Sequence, residues 1–138
     1  MKSVYLSGRF SRRVQLNQYR RELERIGIEV TSRWLLLDPP GPVRDLTHQQ
    51  WTELALVDVD DVQRAEGLVL FSEEHEGGGG RHVELGLALA WAKTVIVVGH
   101  REHIFHRLPQ VQVVADWSGA LVILGAMAGE PQLEAASS

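Results

Sequence analysis

Three short apolar runs constrain this chain more than anything else in it: SVYLS at residues 3–7, GLVLF at 67–71 and TVIVVG at 94–99. Each is too short for a helix, is rich in β-branched or bulky side chains and shows no polar alternation. That is the pattern of strands covered on both faces, as in a parallel sheet. Helical spacing fills the intervals. Leu16, Tyr19, Leu23 and Ile26 recur at steps of three and four before Gly27 ends the pattern, and a second helix is expected over residues 47–65.

The rest of the chain is read the same way. IEVTSRW at residues 28–34 alternates like a strand, and DPPGP at 38–42 is a loop. A glycine run at 77–80 leads into a helix carrying Glu84. Residues 113–116 offer a short fifth strand and 117–127 a closing helix, although LVIL within it equally suits a strand. The tail from residue 129 is expected to fray. Strands alternating with helices imply parallel βαβ units. The expected fold is therefore a single α/β domain over residues 1–128, a three-layer sandwich with a doubly wound, mainly parallel sheet of about five strands, Rossmann- or flavodoxin-like. Such folds bind ligands beyond the carboxyl ends of their strands, which singles out residues 8–13, 32–34, 72–84 and 99–106.

Composition narrows the partners. A chain of 138 residues with net charge −4 is one core and is poorly suited to coating a nucleic acid polymer. It has no cysteine, so thiolate metal sites and cysteine nucleophiles are excluded. No stretch approaches the roughly 18 apolar residues of a membrane span, and MKSVYLSGRF lacks the pattern of a signal peptide. The expectation is a cytoplasmic protein with no membrane partner.

Two carboxylates stand out. Glu84 enters an apolar helix whose Val83, Leu85, Leu87 and Leu89 leave it little polar face. In a first turn, the helix dipole would favour its ionised form, which suits a nucleophile or base; the plainer reading is a helix cap. Asp58 lies on a stripe formed by Trp51, Leu54, Ala55, Val62 and Ala65, where an acid is costly unless bonded or functional. Asp60 and Asp61 read as a solvated face. Paired carboxylates directed at one cleft are what glycosyl transfer uses. The glycine run is either a mobile surface loop or a place of close ligand approach, and GRFSRR at residues 8–13 is either a basic helix start or a phosphate cradle. Three-residue steps spread His100, His103 and His106 around a helix, so a surface or interface role is favoured over a metal site.

Taken together, VYLSG, Asp58 eight residues before Glu66, and HVELGLALA resemble the nucleoside 2-deoxyribosyltransferase family, which includes the 2′-deoxynucleoside 5′-monophosphate N-glycosidases. The resemblance runs from Val4 to about Pro109 and is most specific at residues 84–88. It implies that Glu84 attacks the anomeric carbon, that Asp58 contacts the sugar and assists proton transfer to the base, and that Tyr5 positions the glutamate. It further implies a first loop opening at Gly8, base contacts from Arg33 and Trp34, and a homodimer or higher homo-oligomer in which His106 lies near the position that reaches the neighbouring active site. The small-molecule partner implied is a nucleoside or nucleotide; no cofactor or metal is implied. Where the monophosphate enzymes carry a phosphate-binding serine, this chain has Gly78 and Gly80 followed by Arg81 and His82. Phosphate recognition is then expected from Arg9, Ser11, Arg12 and Arg81. The expected activity is N-glycosidic bond cleavage through a glycosyl-Glu84 ester, resolved by water. The alternatives are base exchange on unphosphorylated deoxynucleosides, or a nucleotide-binding sensor without turnover.

Overall fold

A computed structural model describes residues 1–74 and 79–129. Five strands form one sheet: β1 (Ser3–Ser7), β2 (Glu29–Val30), β3 (Gly67–Phe71), β4 (Thr94–Val98) and β5 (Val111–Val114). Their order is β2-β1-β3-β4-β5 and every pairing is parallel. This is the flavodoxin-like order, and the direction of winding reverses between β1 and β3. The helices are α1 (Arg13–Arg25), α2 (His48–Arg64), α3 (Gly80–Ala90) and α4 (Trp117–Ala128).

The two faces of β1 are in different cores. Val4 and Leu6 pack with Leu16 and Leu23 of α1 and Leu124 of α4. Tyr5 faces the other way, with Val62 of α2 and Leu85 and Ala88 of α3. Alternate side chains of one buried strand thus fill both layers, as period-two geometry requires. Helix α2 begins with a capping box, in which Thr47 accepts from Gln50 N–H and the Gln50 side chain accepts from Thr47 N–H. Helix α1 gives way to Gly27 at φ +86°, a backbone conformation that glycine adopts without a Cβ clash. At α4, Asp116 accepts from Gly119 N–H at 3.1 Å, and the LVIL segment is helical.

Four expectations change. The fifth strand, expected over residues 113–116, is Val111–Val114. The strand expected over residues 28–34 shrinks to Glu29–Val30, followed by a 3₁₀ turn at Arg33–Leu35. The cause is that Thr31 and Ser32 are buried and use their hydroxyls on other segments: Thr31 Oγ1 donates to the Asp61 carbonyl, and Ser32 Oγ accepts from Leu6 N–H. Helix α3 is not buried all round, since Val83 is exposed. Finally, Ala55 on α2 is exposed, so the apolar stripe of that helix is narrower than its spacing suggested. The tail expected to fray lies outside the described residues from residue 130 onward.

Candidate active site

The candidate site lies where the winding reverses between β1 and β3, and is assembled from side chains of β1, α2 and α3. Tyr5 and Ser7, two residues apart on β1, point to the same side, and both reach Glu84. Tyr5 Oη donates to Glu84 Oε2 at 2.5 Å and Ser7 Oγ donates to Oε1 at 2.7 Å. Each carboxylate oxygen therefore has its own hydroxyl donor, which fixes the plane of the group.

Glu84 is the fifth residue of α3, beyond the first turn where orphan N–H groups and the dipole act, so it neither caps the helix nor draws on its terminus. Its charge is governed by its surroundings. Burial pushes its pKa from 4.5 up to about 7, against the opposing pull of the Tyr5 and Ser7 hydrogen bonds. Burial, then the nearby Glu84 charge, raises Tyr5 well above its ordinary value, so it remains a phenol and a donor.

Glu84 and Asp58 line one cavity of about 310 Å³ between α2 and α3. Burial, then the charge of Asp61, raises Asp58 to about 6, with Arg33 acting in the opposite direction. Aromatic groups form much of the wall: Phe10, Trp34 and Trp51. Trp34 is held there by its indole N–H, which donates to the Leu6 carbonyl at 2.9 Å. Gly8 forms part of the floor, where a Cβ would come within 3.1 Å of Leu16. Gly80 borders the cavity and leaves open space beside it. Two acids that titrate near neutrality, flat apolar walls and a glycine floor form a cleft able to seat a ring against a nucleophile.

The residues expected from the sequence do not all converge. Tyr5, Gly8, Trp34, Asp58, Gly80, Arg81 and Glu84 are brought together at this cavity. Arg33 instead turns to Asp60 and Asp61. Asp61 has no exposed surface, which corrects its reading as part of a solvated face. Arg9 and Arg12 both pair with Glu73, at 3.9 and 3.2 Å, and Ser11 is exposed. Arg81 is buried at the cavity edge and bound to Glu102 at 3.2 Å. His82, on α3, and His106, in the 3₁₀ turn Ile104–Arg107, do not line this cavity; their rings meet that of His103 at 5.0 and 6.1 Å respectively. His106 is fully buried in its own chain, its Nδ1 accepting from Glu102 N–H. Gly78 lies outside the described residues. Among the described residues, no group of three His, Asp or Glu side chains is placed to hold a metal ion.

A larger hollow of about 590 Å³ opens between His82, Leu89, His103 and Phe105. Among the described residues no carboxylate lines it, whereas the smaller cavity has Asp58 and Glu84. Sequence reasoning missed Ser7, Phe10, Trp51, Glu73 and the burial of Asp61. Two of these had a usable signal: Ser7 lies two residues from Tyr5 on a strand and shares its face, and Trp51 lies on the helical stripe of Asp58.

No family model matches the sequence, and no curated protein matches it either. Solved structures do. CMP N-glycosidase BcmB of Clostridium botulinum is similar at 18% identity and a TM-score of 0.57, over 88% of this chain and 99% of that one. A 2-deoxyribosyltransferase from Bacillus psychrosaccharolyticus is similar at 17% identity and a TM-score of 0.68, over 88% and 95%. A conserved protein of Enterococcus faecalis V583 is similar at 13% identity and 0.66, over 92% and 99%. At these identities the likeness is one of fold: a five-stranded, all-parallel α/β sandwich that superimposes on an N-glycosidase and a deoxyribosyltransferase along nearly their whole length.

Proposed function

We propose that this chain is an enzyme of the nucleoside 2-deoxyribosyltransferase family and that it cleaves the N-glycosidic bond of a nucleoside or nucleoside 5′-monophosphate. The observation that carries this reading is the double hydroxyl grip of Tyr5 and Ser7 on Glu84, in a cavity shared with Asp58. The fold shared with a CMP N-glycosidase and a 2-deoxyribosyltransferase supports it.

A carboxylate oxygen of Glu84 attacks C1′ while the C1′–N bond breaks, through an oxocarbenium-like transition state. The bonding electrons leave with the base, whose ring nitrogen takes the proton of Asp58. A glycosyl ester on Glu84 remains. Water then attacks C1′, releasing the carboxylate and passing a proton to Asp58, so one water is consumed for each bond cleaved. The rings of Trp34, Trp51 and Phe10 offer stacking surfaces to the base.

A second reading, base exchange on unphosphorylated nucleosides, is favoured by one observation. The arginines expected to receive a phosphate are paired with acids: Arg12 with Glu73 and Arg81 with Glu102. A panel of ribo- and deoxynucleosides and their 5′-monophosphates, incubated with and without a second base, separates the two by chromatography. Base release abolished by Glu84→Ala supports the N-glycosidase, and base exchange supports the transferase. Absence of both from every substrate overturns the enzyme reading.

A further inference from the structure

Asp61 is a buried carboxylate with no part in the chemistry above. It lies three residues beyond Asp58 on α2, one helical turn away, and has no exposed surface. Arg33 N–H donates to its Oδ2 at 2.8 Å and Arg33 Nε to Oδ1 at 2.7 Å, while an Arg64 terminal nitrogen donates to Oδ1 at 2.6 Å. Asp60 takes the outer sides of the same two guanidinium groups, at 2.8 and 3.1 Å. Two cations and two anions close into one cluster. Stability alone does not account for it, because a buried ion pair loses in desolvation much of what it gains in attraction.

The surroundings of Asp58 suggest another purpose. It faces Asp61 along α2, Arg33 from the turn after β2, and Glu84 and Arg81 from α3, with Tyr5 of β1 bonded to Glu84. The nearby cations have partners of their own, Arg33 on Asp60 and Asp61 and Arg81 on Glu102. Asp58 is therefore flanked by two carboxyl groups.

We propose that Asp61 is a positioning residue for Asp58: clamped by Arg33 and Arg64, it presents a fixed negative charge one turn away and so keeps the leaving-group proton on Asp58. The role in catalysis rests on the N-glycosidase reading, whereas the charge relation between the two aspartates does not. When Asp58 gives its proton to the departing base, it becomes an anion beside Asp61, and that repulsion readies it to take the proton of the incoming water.

The test is a carboxyl-carbon NMR titration of the full chain, with the Asp58 signal assigned by its loss in Asp58→Asn. It is run on the unchanged protein, Asp61→Asn and Arg64→Gln, beside the pH profile of base release. Removing the Asp61 charge lowers the Asp58 midpoint, and removing the Arg64 charge raises it. The alkaline limb of base release moves with the midpoint, about tenfold in rate for each unit. A structural disturbance alone does not move two midpoints in opposite directions, so movement the same way, or none, overturns the proposal. If Asp61→Asn does not fold, Arg64→Gln decides by itself: an upward shift supports the proposal and an unmoved midpoint overturns it. Opposite shifts without base release from any of the proteins uphold the charge relation and overturn the N-glycosidase reading. Base release with an unmoved Asp58 midpoint does the reverse.

Discussion

Tyr5 and Glu84 are 79 positions apart in the chain and share a 2.5 Å hydrogen bond between a buried phenol and the proposed nucleophile. The phenol opposes burial by stabilising the ionised carboxylate. Tyr5→Phe removes that donor with little change in shape. Hydrogen bonds to charged groups contribute about 1.5–3 kcal/mol, so kcat/KM for base release is expected to fall about 10- to 100-fold. The acidic limb of the pH profile moves to higher pH, because Glu84 then holds its proton more tightly. An unchanged limb would show that the bond does not govern the charge of Glu84.

Glu84 also couples stability to pH. Its folded pKa of about 7 lies above its ordinary value of 4.5, so the folded state prefers the protonated form. Its contribution is complete below the ordinary carboxyl range and is lost as pH rises through about 7. Glu84→Gln, which cannot ionise, is therefore expected to be more stable than the unchanged protein at pH 8, by on the order of 3 kcal/mol at most, with the advantage gone by pH 4. Base release is lost at both. Urea denaturation at the two pH values measures the difference, and equal stabilities at pH 8 would contradict the raised value.

Trp51 is half-exposed on the cavity wall, so its indole has a face left open to a ligand. Trp51→Ala is expected to raise KM roughly tenfold with kcat nearly unchanged and the melting temperature preserved, the signature of lost uniform binding. A fall in kcat at constant KM would place the indole in the transition state instead.

Glu73 is a shared acidic partner of Arg9 and Arg12. Glu73→Gln leaves Arg9 and Arg12 without that carboxylate. If their guanidinium groups border the phosphate position, KM for 5′-monophosphates falls several-fold relative to the matching nucleosides, and the gain weakens with salt. An unchanged ratio would move phosphate recognition elsewhere.

What was legible in the sequence follows from the range of the forces involved. Ser3–Ser7 and Gly67–Phe71 stand at their expected limits, because a strand covered on both faces is written as a contiguous apolar run. The meeting of Tyr5, Asp58 and Glu84 was expected from the resemblance, and the parallel order of the sheet shows how the chain brings them together. Asp61 was misread because only one of its two partners, Arg64, lies within helical reach, whereas Arg33, which binds both of its oxygens, lies 28 positions away. Glu73 was hidden in the same way, since its pairing with Arg12 spans 61 positions. Short polar stretches such as residues 31–32 mislead for a related reason: alternation records which side chains are polar, and says nothing of which backbone they will satisfy.

The alternation of β1 has a consequence for how Glu84 is held. Tyr5 and Ser7 face Glu84 only because Tyr5 is paired with Leu68 and Ser7 with Leu70. A slip of one residue along β3 would present Val4 and Leu6 to the carboxylate and bury two hydroxyls among the leucines of α1. The register of β1 on β3 thus sets both hydroxyl contacts of Glu84 at once, and one hydrogen-bonding ladder decides the surroundings of a residue 77 positions away from Ser7.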